Sequence, residues 1–348
     1  MTGPITTPLT TLMGVKHPIV LAGMFQVSGG KLAAAVANAG GLSVIGGYKC
    51  TPDQLRNIIN EMKSGLSSPD LPFGIEIALP KVGGGARKTN CDCTGGKLEE
   101  LIDITIGSGA KLFVGSAGVP PREVIDRLHA AGVLVMTVVG HPKHAAKALD
   151  AGVDMVCAQG GEGRGQTGDI PSSVLVPAVV DVARRYKPPM LKGSTALVLA
   201  AGGIASGRSL AAALMQGAAG AWVSTRFVAS EEANITLAEK EQVVECDYDG
   251  TELTIVLTGR PLRMKPNDYI KKWHSRPEEI KKMCDQGIVP TDNDFETGKP
   301  VEVPVMMGQV AGSIRDILPA RQIVDNMVQE ATERLRIAST YVQPRPRL

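Results

Sequence analysis

Eight short, almost wholly apolar runs recur along the first two thirds of the chain, each followed by a segment with helical spacing. They are PIVLAGM (Pro18 to Met24), LSVIGG (Leu42 to Gly47), FGIEIAL (Phe73 to Leu79), KLFVGSAG (Lys111 to Gly118), VLVMTVVG (Val133 to Gly140), DMVCAQGG (Asp154 to Gly161), ALVLAAGGI (Ala196 to Ile204) and AGAWVSTRF (Ala219 to Phe227). Strands that are apolar throughout, rather than at alternate positions, are buried on both faces, which implies a parallel sheet covered by helices. Helix signals fall between the runs. In TPDQLRNIINEMKSG, Thr51 is placed to cap and Pro52 occupies the first helical position. Eight strand–helix units are the count of a (β/α)8 TIM barrel, which takes about 250 residues. A doubly wound open sheet shows the same alternation, and neither count nor periodicity proves closure.

After Ala229 the pattern breaks. The stretch NITLAEKEQVVECDYDGTELTIVLTGRPLR is charged and reads as two strand-like segments around the Asp249-Gly250 turn. PNDYIKKWHSRPEEIKKMCDQG reads as helical and carries Trp273. The expected organisation is an α/β barrel of residues 1–230 and 306–348, with a smaller α+β domain of residues 231–305 inserted after the eighth strand. The final helix is expected to pack on the outside of the barrel.

Composition excludes several functions. Lys and Arg number 37 against 35 Asp and Glu, mixed along the chain, so no basic face for nucleic acid is expected. No apolar run reaches membrane-spanning length without charge, Pro or Gly. The start lacks the basic and apolar regions of a signal peptide. The six Cys form no CxxC pair, and Cys91-Asp92-Cys93 has no nearby His, so neither disulfides nor a metal site is expected. These features point to the cytoplasm. The C-terminal Pro346-Arg347-Leu348 is a weak match to the peroxisomal Ser-Lys-Leu address, departing from it at the first position.

In a barrel of this kind the active site forms where loops leave the C-terminal ends of the strands, and the loops after the seventh and eighth strands commonly hold phosphate. Here those loops carry Gly202-Gly203 and Ser224-Thr225. Backbone N–H groups at the glycines and the two hydroxyls suit a phosphate-bearing cofactor; the alternative is that the glycines only make tight turns. Gly160 to Asp169, GGEGRGQTGD, follows the sixth strand. So many glycines imply either a ligand-contacting loop or a mobile surface segment. No GxGxxG opens a helix after a strand, so a Rossmann nicotinamide site is not expected.

Five segments, in order along the chain, carry a resemblance: LAGMFQVSGGKLAAAVANAGGLSVIGG, AQGGEGRGQTGDIPSSVLVPAVVDV, AAGGIASGRSLAAALMQGAAGAWVSTRFVAS, TGRPLR and MGQVAGSIRDILPA. The chain resembles the nitronate monooxygenases, formerly 2-nitropropane dioxygenases. KGSTALV before the seventh strand resembles their fungal branch, and flavin-dependent enoyl-acyl-carrier reductases and NAD(P)H:quinone reductases are more distant relatives. The resemblance implies an FMN-binding TIM barrel that oxidises alkyl nitronates with O2 to a carbonyl compound and nitrite, with a homodimer as a possible assembly. It implies that Ala22, Gly23 and Met24 lie against the flavin ring, that Gln159 reaches the flavin, and that Gly163 belongs to the cofactor loop. Gly202, Gly203, Ser224 and Thr225 would hold the phosphate, with Gly308 and Gln309 approaching the same pocket.

One departure matters. The resemblance implies a catalytic His at the position of Gln166 and a Gly at that of Arg164. An amide donates and accepts hydrogen bonds but takes no proton at working pH, and general-base help is worth ~10²–10⁴ in rate. A nitronate is already deprotonated, so weak action is expected only on neutral nitroalkanes. Arg164 adds a fixed positive charge that would favour anionic substrates, unless it points to solvent. His141, directly after the fifth strand, is a substitute base by position; its other reading is a helix-start residue before Pro142. The alternative function is an NAD(P)H-dependent FMN reductase of quinones or enoyl thioesters.

Overall fold

The computed structural model describes residues 3–79, 88–90 and 92–342. Cys91, the start of the polar insertion after Leu79 and the Pro346-Arg347-Leu348 tail lie outside the described residues. The strands are β1 (Ile19–Leu21), β2 (Ser43–Gly46), β3 (Phe73–Ala78), β4 (Leu112–Ser116), β5 (Leu134–Val139), β6 (Met155–Gln159), the short β7 (Gly165–Gln166), β8 (Leu197–Ala201), β9 (Gly220–Val223), β10 (Glu252–Thr254) and β11 (Leu262–Met264). The helices are α1 (Pro8–Met13), α2 (Gly30–Asn38), α3 (Pro52–Gly65), α4 (Leu98–Gly107), α5 (Arg122–Ala130), α6 (Pro142–Asp150), α7 (Ser172–Ala183), α8 (Gly207–Met215), α9 (Thr225–Val228), α10 (Leu237–Val244), α11 (Asp268–His274), α12 (Pro277–Gln286), α13 (Pro290–Glu296) and α14 (Ala320–Ser339).

Eight strands run parallel in the order β1-β9-β8-β6-β5-β4-β3-β2. The two ends of that order meet. Leu21 N donates to Leu42 O and Leu42 N to Ile19 O, each at 2.9 Å, beside a parallel bridge between Val20 and Leu42. The sheet is therefore a barrel and not the open alternative. Val, Ile and Leu fill it because both faces of each strand are covered: every residue of β1, β2, β8 and β9 is buried.

The caps follow local chemistry. The Thr51 hydroxyl accepts from Gln54 N while the Gln54 side chain accepts from Thr51 N, with Pro52 in the first turn. Ser206 and Ser209 make the same reciprocal cap on α8. Helix α14 lies against α8 at very close range: a Cβ on Gly207 would stand 2.4 Å from Ala331 N and 2.5 Å from Met327 O. The last helix thus closes over the outside of the barrel.

The run Ala219 to Phe227 divides into strand β9 and the single turn α9, with Ser224 between them. A larger correction concerns residues 231–250. The first of the two strand-like segments expected there is the helix α10. The local reason is a reciprocal cap between Thr236 and Glu239, which outweighs the weak alternation. Beyond it, Val256, Leu262, Met264, Ile270, Trp273 and Ile280 gather into a small core of their own. Its antiparallel sheet runs β10-β11-β7, so one of its strands comes from the loop after β6.

Candidate active site

The loop ends of β8 and β9 form a cradle. Gly202 and Gly203 have φ of +90° and +71°, a region that L side chains rarely enter. Space is tight as well: a Cβ on Gly202 would lie 3.1 Å from Gly160 N, and one on Gly203 would lie 3.3 Å from Glu162 Oε1. Among the described residues the Gly202 and Gly203 amides have no protein acceptor. They line a small cavity together with Gly163, Arg164, Ser224 and Thr225. Amide donors and hydroxyls converging on a cavity fit the phosphate end of a cofactor.

The Gly-rich segment 160–169 is held on both sides, so it is not a mobile surface loop. Gln159 Nε2 donates to Gln166 O at 2.6 Å and to Arg164 O at 3.3 Å. The Glu162 carboxylate accepts from Ser172 N at the start of α7, at 3.2 Å, and from the Ser172 hydroxyl. Gln166 pairs with Leu262 in β11, and Thr167 N donates to Pro261 O at 3.1 Å. Arg263 Nε donates to Gly161 O at 3.0 Å. From the other side, Gly308 N donates to Thr225 Oγ1 at 3.0 Å and Gln309 N to Glu162 O at 3.0 Å. Gln309 therefore acts through its backbone, and its side chain is exposed. Gln159 and Gln309 are thus clasps of the loop.

Arg164 does not point to solvent. Its Nε donates to Met306 O at 3.0 Å, and it lines the cavity. Burial lowers its pKa to about 10, and the charge of Glu76 works against that fall. Glu76 rises from β3 inside the barrel mouth. A Cβ on Gly23 would stand 2.6 Å from Glu76 Cβ and 2.6 Å from Glu76 Oε2, so the glycine after β1 is what admits this carboxyl. Burial pushes the Glu76 carboxyl up to about 7, against the pull of the Ser116 hydroxyl and of Arg164. Burial, with the charge of Glu76 behind it, also raises the Cys157 thiol. Sequence reasoning passed over Glu76. The signal was one acid in the otherwise apolar run FGIEIAL, a placement that burial makes costly unless the group has a function or a partner.

The remaining candidates lie as follows. Ala22, Gly23 and Met24 turn away from β1 at the mouth. Ala22 N donates to Val223 O at 3.0 Å, Ala22 O accepts from the Ser28 hydroxyl at 2.6 Å, and Met24 is buried against Gly46. His141 caps α6, its Nδ1 accepting from Lys143 N at 3.1 Å, with its ring against that of His144. That is the geometry of the helix-start reading, with the Nδ1 lone pair engaged by the backbone.

Comparison with known proteins is specific. A family model described as nitronate monooxygenase matches residues 6–330. A (3aS,4S,5R,7aS)-5-hydroxy-7a-methyl-1-oxo-octahydro-1H-indene-4-carboxyl-CoA dehydrogenase of Mycobacterium tuberculosis is 29% identical, covering 97% of this chain and 99% of its own. A nitronate monooxygenase of Pseudomonas aeruginosa is 30% identical over 76% of this chain and 80% of its own. Among solved structures, FabK from Thermotoga maritima superposes with a TM-score of 0.80 at 30% identity, covering 97% of this chain and 100% of that one. A nitroalkane oxidase from Streptomyces ansochromogenes gives 0.78 at 26% identity, covering 95% and 100%.

Proposed function

The chain belongs to the nitronate monooxygenase family, and from that premise we propose that it is an FMN-dependent oxidoreductase. In this reading it oxidises alkyl nitronates with O2 to a carbonyl compound and nitrite, and acts weakly on neutral nitroalkanes. The observation that carries the reading is the pair Arg164 and Gln166 on one clasped loop: a cation lining the cavity and a neutral amide where the resemblance implies a base. Such a site attracts an anion, and the amide at position 166 does not remove a carbon-bound proton; the Glu162 carboxylate of the same loop is engaged by Ser172.

Within the reading, Gly202 and Gly203 amides and the Ser224 and Thr225 hydroxyls hold the phosphate. FMN supplies the electron acceptor when bound. Arg164 draws the nitronate oxygens inward, and the Gln166 amide orients them. The return segment through Gly308 keeps the loop closed over the cavity and limits water. The test is the ratio of kcat/KM for a nitronate to that for its parent nitroalkane; comparable efficiency on both would overturn it.

A second reading is favoured by one observation. The carboxyl-CoA dehydrogenase relative matches nearly the whole chain, including the second unit, whereas the nitronate monooxygenase match covers 76% of it. This supports action on a CoA thioester, one arm of the alternative reading as an NAD(P)H-dependent FMN reductase of quinones or enoyl thioesters. Anaerobic mixing separates the two: bleaching of the flavin by nitronate alone supports the first, and bleaching by NADH or NADPH without response to nitronate supports the second.

A further inference from the structure

The acid inside the barrel mouth has no part in the reading above, and its position calls for one. Glu76 stands where the ends of β1, β3, β4 and β6 converge. Gly23 packs directly on its carboxyl. The Ser116 hydroxyl and the Arg164 charge both act to lower its pKa, and the Glu76 charge in turn raises that of the Cys157 thiol. Its ion-pair contact with Arg164 is not a close one: no Glu76 oxygen lies within salt-bridge distance of a basic nitrogen among the described residues. The carboxylate is therefore compensated at a distance, and a proton is its other means of neutralisation.

Gly23 is also the residue expected against the flavin ring, so the carboxyl lies behind that contact, on the barrel side, while Gln166 lies on the loop side. We propose that Glu76 is the proton store of the flavin site: it takes up a proton from solvent when the flavin accepts electrons and releases it on reoxidation. This rests on the flavin reading above. The balance is simple. A nitronate and one water become the carbonyl compound and nitrite, giving up two electrons and two protons; the flavin takes the two electrons and one proton, and one O–H bond forms on the Glu76 carboxylate with a proton exchanged through solvent. When O2 reoxidises the flavin, it takes the two electrons with the flavin's proton and the Glu76 proton, leaving as hydrogen peroxide, and the Glu76 O–H bond breaks. Added negative charge beside a carboxylate favours its protonation, so electron uptake and proton uptake are coupled through this residue.

The test is the pH dependence of the flavin midpoint potential in the holoenzyme, from about pH 5 to about pH 9, for the wild type and for Glu76→Gln. In the wild type the slope should steepen by one proton per electron pair over a window that opens near neutrality. In Glu76→Gln that extra proton should be lost, and in Glu76→Asp the window should survive but shift. An infrared difference spectrum of the wild type on reduction gives a second readout, in which a protonated-carboxyl band should appear. An unchanged slope in Glu76→Gln, or no carboxyl band in the wild type, overturns the proposal while leaving the flavin reading intact. Failure of the protein to hold flavin, purified or reconstituted with FMN, overturns both.

Discussion

At the residue scale, the functional weight falls on a few positions where a small change in side chain alters what the cavity can do. Gln166 is one. Glutamine and histidine are similar in length, so Gln166→His should restore a proton acceptor without disturbing the β7–β11 pairing. Turnover of a neutral nitroalkane should then rise by ~10²–10⁴, with little change on the nitronate, as measured by paired steady-state rates. Gly203 is another. With φ at +71° and Glu162 Oε1 3.3 Å from any Cβ, Gly203→Val strains the backbone and closes the cradle. The variant should fold yet lose bound flavin, read as the ratio of visible to protein absorbance. The paired glycines were legible in the sequence because they stand at strand ends, and Gln166 because the family resemblance implies a His at its position. Glu76 was in plain view too, but its significance depends on Gly23, Ser116 and Arg164, which are distant in sequence.

At the element scale, two contacts decide how the pieces hold together. The α8–α14 crossing depends on the missing side chain of Gly207. Gly207→Ala should force the helices apart and destabilise by about 1–3 kcal/mol, the usual range for overpacking, visible as a lower denaturation midpoint. In the second unit, Asp294 accepts from Tyr269 Oη at 3.1 Å, Trp273 Nε1 at 3.0 Å and Lys299 Nζ at 3.0 Å. Asp294→Ala strands the buried indole N–H and should lower stability by about 1–3 kcal/mol, with a change in Trp fluorescence. Apolar runs bounded by glycine were readable as strands. Helix α10 was not, because its apolar spacing is weak and its formation turns on the Thr236–Glu239 cap. Strand β7 was unreadable for a different reason: two residues carry no period, and only β11 makes them a strand.

At the scale of the whole molecule, the barrel gathers the site and also exacts an electrostatic penalty. The Glu76 carboxyl is raised from 4.5 to about 7 in the folded protein. A raised acid binds its proton more tightly in the folded state than in the unfolded one. Its stabilising contribution is therefore fully present below about pH 4.5 and is lost as pH climbs through about 7, a loss of up to about 3 kcal/mol. Glu76→Gln removes that loss. In the cofactor-free protein the variant should gain stability over the wild type between about pH 5 and about pH 8, and equal pH profiles in thermal melts would contradict the buried carboxyl. Extra stability in a variant that impairs the flavin site is the expected trade between stability and function.

The sequence by itself determined the eight strand–helix units, the glycine positions at the strand ends and the identity of the residue at position 166. Each is a local property: apolar runs, backbone freedom and side-chain chemistry are written residue by residue. Closure of the barrel was decided only when Leu42 met Ile19 and Leu21, because hydrogen bonds between the first and second strands have no local signature. The same is true of the site. Arg164 is turned inward by a carbonyl at Met306, and Glu76 is held near neutrality by burial among three other strand ends. A charge has its chemistry set by what surrounds it, and those surroundings exist only in the folded molecule.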